Sequence, residues 1–242
     1  MTPQPPDIPP HGFWQTIVEP DTYEDRPAKG HRAFYPAWLP DGRQLALPIR
    51  ERDGGREALA SLIVNQASFA VLDTLADALA EMARPFAPDI VVAMPTLGLA
   101  LAEQTARRLG HDRYVPLSTS RKFWYDDDLS VPLRSITSPD QAKQLYVDPR
   151  MLPLLTGRTI FLIDDVLSTG SSILAACRLL EACGLTPGLI GCAMLQTTRW
   201  RDTVAAYDPT LVDRVLGVFA TPRLVPTGRG GWRAVQSVSG LD

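Results

Sequence analysis

Along most of the chain the apolar positions switch between helical and strand-like spacing, and the switches divide it into elements. Leu59, Leu62, Ile63, Phe69, Leu72, Leu75, Leu79 and Met82 recur at helical spacing within the first such stretch. This spacing predicts one long amphipathic helix over 57–84, ended by Pro85. DIVVAM (89–94) is then a short continuous apolar run, followed by a helix through 101–109 that closes at Gly110 and a strand at 114–117. A long polar segment, 118–138, leads to QLYVD (144–148), which reads as another strand. The run at 159–163, a helix over 171–183 closing at Gly184, and the runs GLIGCAML and RVLGVFA complete the series. Continuous apolar strands alternating with helices predict an α/β fold, a parallel sheet with helices on both faces. No repeat of fixed period suggests a solenoid.

The first 30 residues are rich in proline and charge and are expected to be largely irregular. In YPAWLPDGRQLALPIR (35–50), two short apolar runs flank Pro40-Asp41-Gly42-Arg43. Proline presets φ and glycine accepts φ > 0, so a β-hairpin is predicted there. The expected organisation is an N-terminal irregular segment and hairpin over 1–56, a core domain over 57–222 and a C-terminal tail over 223–242.

Composition narrows the class of protein. At 242 residues, 45% hydrophobic and 21% charged, the chain fits one large soluble domain or one with a small accessory part. A net charge of −3 supplies no basic field, so neither nucleic acid nor an anionic membrane is an expected partner. No apolar run approaches the roughly 18 residues of a membrane span. MTPQPPDIPP lacks the basic and apolar regions of a secretory signal, which makes the cytoplasm the expected location. Cys177, Cys183 and Cys192 lack Cys-x-x-Cys spacing and lie far from His11, His31 and His111, so neither a zinc site nor a disulfide framework is expected.

The stretch that carries chemistry is FLIDDVLSTGSS (161–172). An apolar run ends on Asp164 and Asp165, at the strand end where ligands of open parallel sheets bind. Beyond it, Ser168, Thr169, Ser171 and Ser172 supply hydroxyls, and Gly170 permits close approach of the backbone. A helix starts immediately afterwards, and its unpaired N–H groups favour a phosphate. Two acceptors for vicinal hydroxyls beside a phosphate cradle suit a ribose 5-phosphate. An acidic strand end and a Ser-Thr-Gly cap are each common as structural features, and an Asp-Asp strand end also occurs in P-loop NTPases. The G-x-x-x-x-G-K-[ST] segment such an enzyme needs is missing, as are G-x-G-x-x-G after a strand, H-E-x-x-H and G-x-S-x-G.

FLIDDVLSTGSS resembles the signature of the type I phosphoribosyltransferases, and LSVPLRSITSPDQAKQLYVD is similar to a run in adenine phosphoribosyltransferase-like proteins. The resemblance covers roughly residues 57 to 220 and implies the fold of that family, with the hairpin as part of a small hood over the acceptor base. It implies binding of 5-phosphoribosyl 1-pyrophosphate (PRPP) by Asp164, Asp165, Val166, Leu167, Ser168, Thr169, Gly170, Ser171 and Ser172, the acids taking the ribose hydroxyls and the turn the 5-phosphate. AMPTLGLALA (93–102) resembles the family's pyrophosphate loop in position, with backbone N–H groups around Thr96, Leu97 and Gly98 available to the anion. STSRKFWYDDDLSVPLRSITS (118–138) lies where the family carries its flexible catalytic loop, and there Arg121 and Lys122 are expected to neutralise the leaving pyrophosphate. Phe123, Trp124 and Tyr125 are expected to form a hinge, meet a partner subunit or cover the base.

The implied reaction transfers ribose 5-phosphate from PRPP to a nucleobase, a purine being favoured, with release of pyrophosphate and with Mg2+ held mainly by ligand and water. The chain departs from the family at two positions. Ser168 stands where hypoxanthine-type enzymes place an acid, and Pro132 where adenine enzymes commonly carry a Glu in the loop. Asp126, Asp127 and Asp128 are the nearby acids, and a charge run of this kind is usually a solvated face. A homodimer is expected from the family. The alternative is a sensor of the same fold that binds PRPP or a nucleotide without transferring anything.

Overall fold

The computed structural model describes residues 7–135, 138–228 and 230–235. In chain order its strands and α-helices are β1 (Ile17–Val18), β2 (Phe34–Trp38), β3 (Gln44–Arg52), β4 (Glu57–Ala60), α1 (Phe69–Ala83), β5 (Ile90–Ala93) and α2 (Gly98–Arg108). Then follow β6 (Val115–Pro116), β7 (Ser130–Ser135), β8 (Ser138–Tyr146), β9 (Ile160–Leu167), α3 (Ser171–Ala182) and β10 (Pro187–Gln196). The series closes with α4 (Arg199–Tyr207), β11 (Val215–Thr221), β12 (Arg223–Pro226) and β13 (Trp232–Ala234).

The central sheet has the order β11-β10-β9-β5-β6, and every neighbouring pair in it is parallel. Alternation along β9 shows why its apolar run is continuous. Phe161 and Ile163 enter one core with Leu75 and Leu79 of α1 and Leu101 of α2. Ile160 and Leu162 enter the opposite core with Ile173, Leu179 and Leu180 of α3. All four β9 side chains are fully buried, each contributing roughly 1.5–3 kcal/mol. This is the predicted α/β sheet covered on both faces.

The predicted hairpin is β2–β3, antiparallel with Phe34 opposite Pro48 and Trp38 opposite Gln44. It belongs to a second sheet of order β1-β3-β4-β12-β13, with β2 also on β3. Two expectations change here. The single helix over 57–84 is instead strand β4 followed, after a short 3-10 turn, by α1, which starts at Phe69. Glu57–Ala60 is buried along its whole length and pairs with β3 on one side and β12 on the other. The helix begins only where the Ser68 side chain caps it, accepting the Val71 N–H at 3.2 Å. Likewise, the stretch after residue 222 includes two strands of this second sheet rather than a plain tail.

The segment over 118–138 is structured across much of its length. β7 and β8 form an antiparallel two-stranded ribbon, tied to the core by a bridge between Ser118 and Tyr146. Ile136 and Thr137 of the LSVPLRSITS stretch lie outside the described residues. Helix α4 has no counterpart in the sequence pattern, since its buried residues are only Trp200 and Val204. The irregular N-terminal stretch is nonetheless anchored: Phe13 and Trp14 are buried, and Trp14 Nε1 donates to the Ser61 carbonyl at 2.9 Å.

Candidate active site

Strand β9 runs to Leu167, so Asp164 and Asp165 lie within its carboxyl-terminal half rather than beyond its end. Both are buried, and the Asp165 N–H donates to Asp164 Oδ1 at 2.9 Å. Burial raises the Asp164 carboxyl well above the ordinary range, and the neighbouring charge of Asp165 raises it further. Burial also raises Asp165. Among the described residues neither carboxylate has an ion-pair partner. The protein thus holds two acceptors whose charge it leaves uncompensated, at an unfavourable electrostatic cost.

The turn Ser168–Ser172 follows directly. Gly170 has φ +81°, and a Cβ there would lie 3.2 Å from Thr203 Cβ and 3.4 Å from the Trp200 carbonyl oxygen. Both the left-handed backbone and the packing of α4 therefore select glycine. The N-cap of α3 is Gly170, which has no side chain to cap the first N–H groups, so they are available to an external acceptor. Thr169 Oγ1 and Ser171 Oγ lie 3.1 Å apart on the same rim.

The second loop, Pro95–Gly98, connects β5 to α2 and contains a cis Pro95–Thr96 peptide. It is pressed against the acid pair: a Cβ on Gly98 would lie 2.9 Å from Asp164 Cα, 3.1 Å from the Ile163 carbonyl oxygen and 3.2 Å from Asp164 Oδ1. Only glycine allows this approach. The first N–H groups of α2 also lack a side-chain cap, and Asn65 Nδ2 donates to the Thr96 carbonyl at 3.3 Å.

These pieces meet in one cavity of about 490 Å3. Asp164, Asp165, Val166, Leu167, Ser168, Thr169, Gly170, Ser171 and Ser172 line it, together with Thr96 and Leu97. Gly98 acts from behind, through its contact with Asp164.

The loop cations are placed differently from expectation. Arg121 and Lys122 are exposed and are not part of the cavity wall. Arg121 is held by Asp127, with Nε to Oδ1 at 2.6 Å. Among the described residues, the cation that does line the cavity is Lys143 of β8, opposite Leu133 in the ribbon register. Trp124 and Tyr125 pack on the base of the ribbon rather than over the cavity. Trp124 Nε1 donates to Asp148 at 3.2 Å, and the Arg150 guanidinium lies 4.5 Å from the Trp124 ring centre. Hydrogen bonding by Arg150 holds the Asp148 carboxyl down to about 2, against the opposing effect of burial. Tyr125 stacks obliquely on Tyr146 at 5.9 Å, and Phe123 is left exposed.

Sequence reasoning missed further parts of the wall, among them Ser61, Leu62 and Ile63 from the connection after β4, and Met194 and Gln196 at the end of β10. Gln196 was open to the argument that singled out the acids, being a polar residue at the carboxyl end of a parallel strand. Ser61–Ile63 gave no such signal, because their apolar spacing merged with the helix after them.

Fold and site together define an α/β protein in which paired acids and two uncapped helix N-termini open on one cavity at the carboxyl end of a parallel sheet. The phosphoribosyl transferase domain model matches residues 61–208, and the chain belongs to that family. It is 29% identical over 126 residues to an adenine phosphoribosyltransferase of Rhodopirellula baltica, across 51% of this chain and 57% of that protein. It is 33% identical over 114 residues to a xanthine phosphoribosyltransferase of Chloroflexus aurantiacus, across 45% of this chain and 49% of that one. The chain thus spans about half the length of the curated relatives it matches. Among solved structures, the APRTase of Giardia lamblia complexed with 9-deazaadenine shares the fold, with a TM-score of 0.54 and 22% identity over 66% of this chain and 83% of that one.

Proposed function

We propose that the protein is a phosphoribosyltransferase that moves ribose 5-phosphate from PRPP to a purine base and releases pyrophosphate. The observation that carries this reading is the joint placement of Asp164, Asp165, the 168–172 turn and the 96–98 loop around a single cavity. The acids accept from the ribose 2- and 3-hydroxyls. The turn and the α3 N-terminus hold the 5-phosphate, and the backbone of the loop before α2 faces the pyrophosphate. Bond breaking at C1 develops positive charge on the sugar and negative charge on the departing pyrophosphate. Positioning and charge stabilisation therefore carry the reaction, without a covalent enzyme intermediate. Lys143 is the cation placed to meet the leaving group. Arg121 and Lys122 take part only if the segment before the ribbon moves.

The donor set suits Mg2+. Two buried carboxylates without a cationic partner attract a divalent ion, and no cluster of three or more His, Cys, Asp or Glu side chains among the described residues forms a cage of its own. Bound with PRPP, Mg2+ would supply positive charge at the pyrophosphate oxygens while keeping several waters. Asp164 and Asp165 would act on it chiefly through the ribose hydroxyls. A homodimer in the cytoplasm completes the proposal, with the exposed Phe69 at the start of α1 offered as an apolar contact. No helix among the described residues is long and apolar enough to cross a membrane.

The test is pyrophosphate release from PRPP and Mg2+ over a panel of purine and pyrimidine bases. Release with a purine is expected. Tight PRPP binding with no release on any base would replace transfer with sensing, a reading favoured by the fact that, among the described residues, no carboxylate besides Asp164 and Asp165 lines the cavity.

A further inference from the structure

Asn65 joins the connection after β4 to the loop before α2, and it reaches that loop at a single peptide. It lies in the 3-10 turn Val64–Gln66, just beyond the Ser61, Leu62 and Ile63 of the cavity wall. This turn is held on both sides of Asn65. Val64 is buried in the core that also contains Leu75 of α1 and Leu101 of α2, and the Gln66 carbonyl accepts from Gln15 Nε2 at 2.8 Å. From this fixed base Asn65 Nδ2 donates to the Thr96 carbonyl at 3.3 Å.

The Thr96 carbonyl shares a peptide plane with the Leu97 N–H. That peptide is trans, and in a rigid trans plane the C=O and N–H point in opposite directions. Fixing the carbonyl on Asn65 therefore fixes the N–H on the far side. Thr96 and Leu97 line the cavity, whereas Asn65 does not. Among the described residues the Leu97 N–H has no acceptor, and Leu97 is the N-cap of α2. A hydrogen bond at the carbonyl end also polarises the amide, which makes its N–H a stronger donor. We infer that Asn65 is a positioning residue for the pyrophosphate loop: it orients and polarises the Leu97 N–H for a pyrophosphate oxygen without touching the ligand. The inference rests on the pyrophosphate reading of the 96–98 loop and adds the side chain, outside the cavity, on which that loop depends.

Titration calorimetry of the full chain with pyrophosphate and, separately, with ribose 5-phosphate, each with Mg2+, tests this. Asn65 is exposed, so Asn65→Ala should keep the fold. It should weaken pyrophosphate about three- to tenfold and leave ribose 5-phosphate within about twofold, since the 168–172 turn belongs to another connection. A bond that only fastens the turn to the loop would lower Tm without moving either affinity, or would weaken both ligands alike. Either result overturns the inference. Amide NMR spectra of the unaltered protein give a second readout that needs no variant. The Leu97 amide proton should move downfield when pyrophosphate is added, and a Leu97 signal that ignores pyrophosphate overturns the inference. Asn65→Ala should also move the Leu97 amide nitrogen in the absence of ligand, and an unmoved signal overturns the polarisation by Asn65. Were the unaltered protein to bind neither pyrophosphate nor ribose 5-phosphate, the reading of the site would fall and take the inference with it. Binding of both ligands with no loss of pyrophosphate affinity in Asn65→Ala would remove the inference alone.

Discussion

Replacing Gly170 by alanine separates the structural demand of the turn from its ligand-binding role, because Gly184 at the other end of α3 provides a matched control. Both glycines have positive φ, +81° at Gly170 and +72° at Gly184. A left-handed backbone costs an L-residue about 1–2 kcal/mol. At Gly184 nothing lies within 4 Å of the added Cβ, so the backbone cost is the whole effect. At Gly170 the Cβ would also meet Thr203 Cβ at 3.2 Å and Thr203 Cγ2 at 3.3 Å. Displacing α4 or the turn by a few tenths of an ångström adds about 1–2 kcal/mol. With roughly 2–4 °C per kcal/mol for a chain of this size, Gly170→Ala should lower Tm by about twice as much as Gly184→Ala. Scanning calorimetry with and without ribose 5-phosphate is the assay. At about 100 times Kd the ligand should stabilise the unaltered protein and Gly184→Ala by about 2.7 kcal/mol. Gly170→Ala should lose most of that shift, because the α3 N-terminus is displaced from the phosphate. Equal Tm losses in the two variants, or an undiminished ligand shift in Gly170→Ala, would refute the reasoning.

The acid pair makes a prediction of opposite sign for stability. Burial and mutual repulsion raise the carboxyl pKa of Asp164 in the folded state, and burial raises that of Asp165. The contribution of the pair is therefore fully present below the ordinary value of 3.8 and is lost as pH climbs through the raised value. Asp164→Asn should accordingly gain Tm relative to the unaltered protein as pH rises from 4 to 8, and a difference that shrinks with pH would contradict the placement of the charge. Among the cations, Lys143→Ala should lower kcat by about 10–100-fold with a smaller change in PRPP affinity, as expected for a group acting on developing charge. Lys122→Ala should do less, and the reverse order in steady-state kinetics would return the catalytic role to the segment before the ribbon.

What was legible in the sequence is what is local in it. The parallel sheet declared itself because β5, β9 and β10 are each short runs that must be apolar on both faces. The ribose phosphate site declared itself because two acids, a glycine turn and a helix start lie within twelve consecutive residues. The second sheet was hidden because β4 pairs with β12 across most of the chain length, and no local pattern encodes such a partner. At 57–63 the apolar spacing matched a helix by coincidence, and only the Ser68 cap shows where the helix starts. Lys143 and Gln196 belong to no motif. Their place at the cavity depends on the fold-back of the ribbon and on the Ala60 contact, both set by tertiary packing.

The acid pair as the holder of ribose is the central claim, and PRPP binding in the presence of Mg2+ tests it most directly. Each buried carboxylate accepting a hydroxyl is worth about 1.5–3 kcal/mol, so losing both charges should cost about 3–6 kcal/mol. Isothermal titration should therefore show Asp164→Asn with Asp165→Asn binding PRPP about 10²–10⁴-fold more weakly than the unaltered protein, with the fold intact by circular dichroism. The same affinity in the folded double variant would contradict the account.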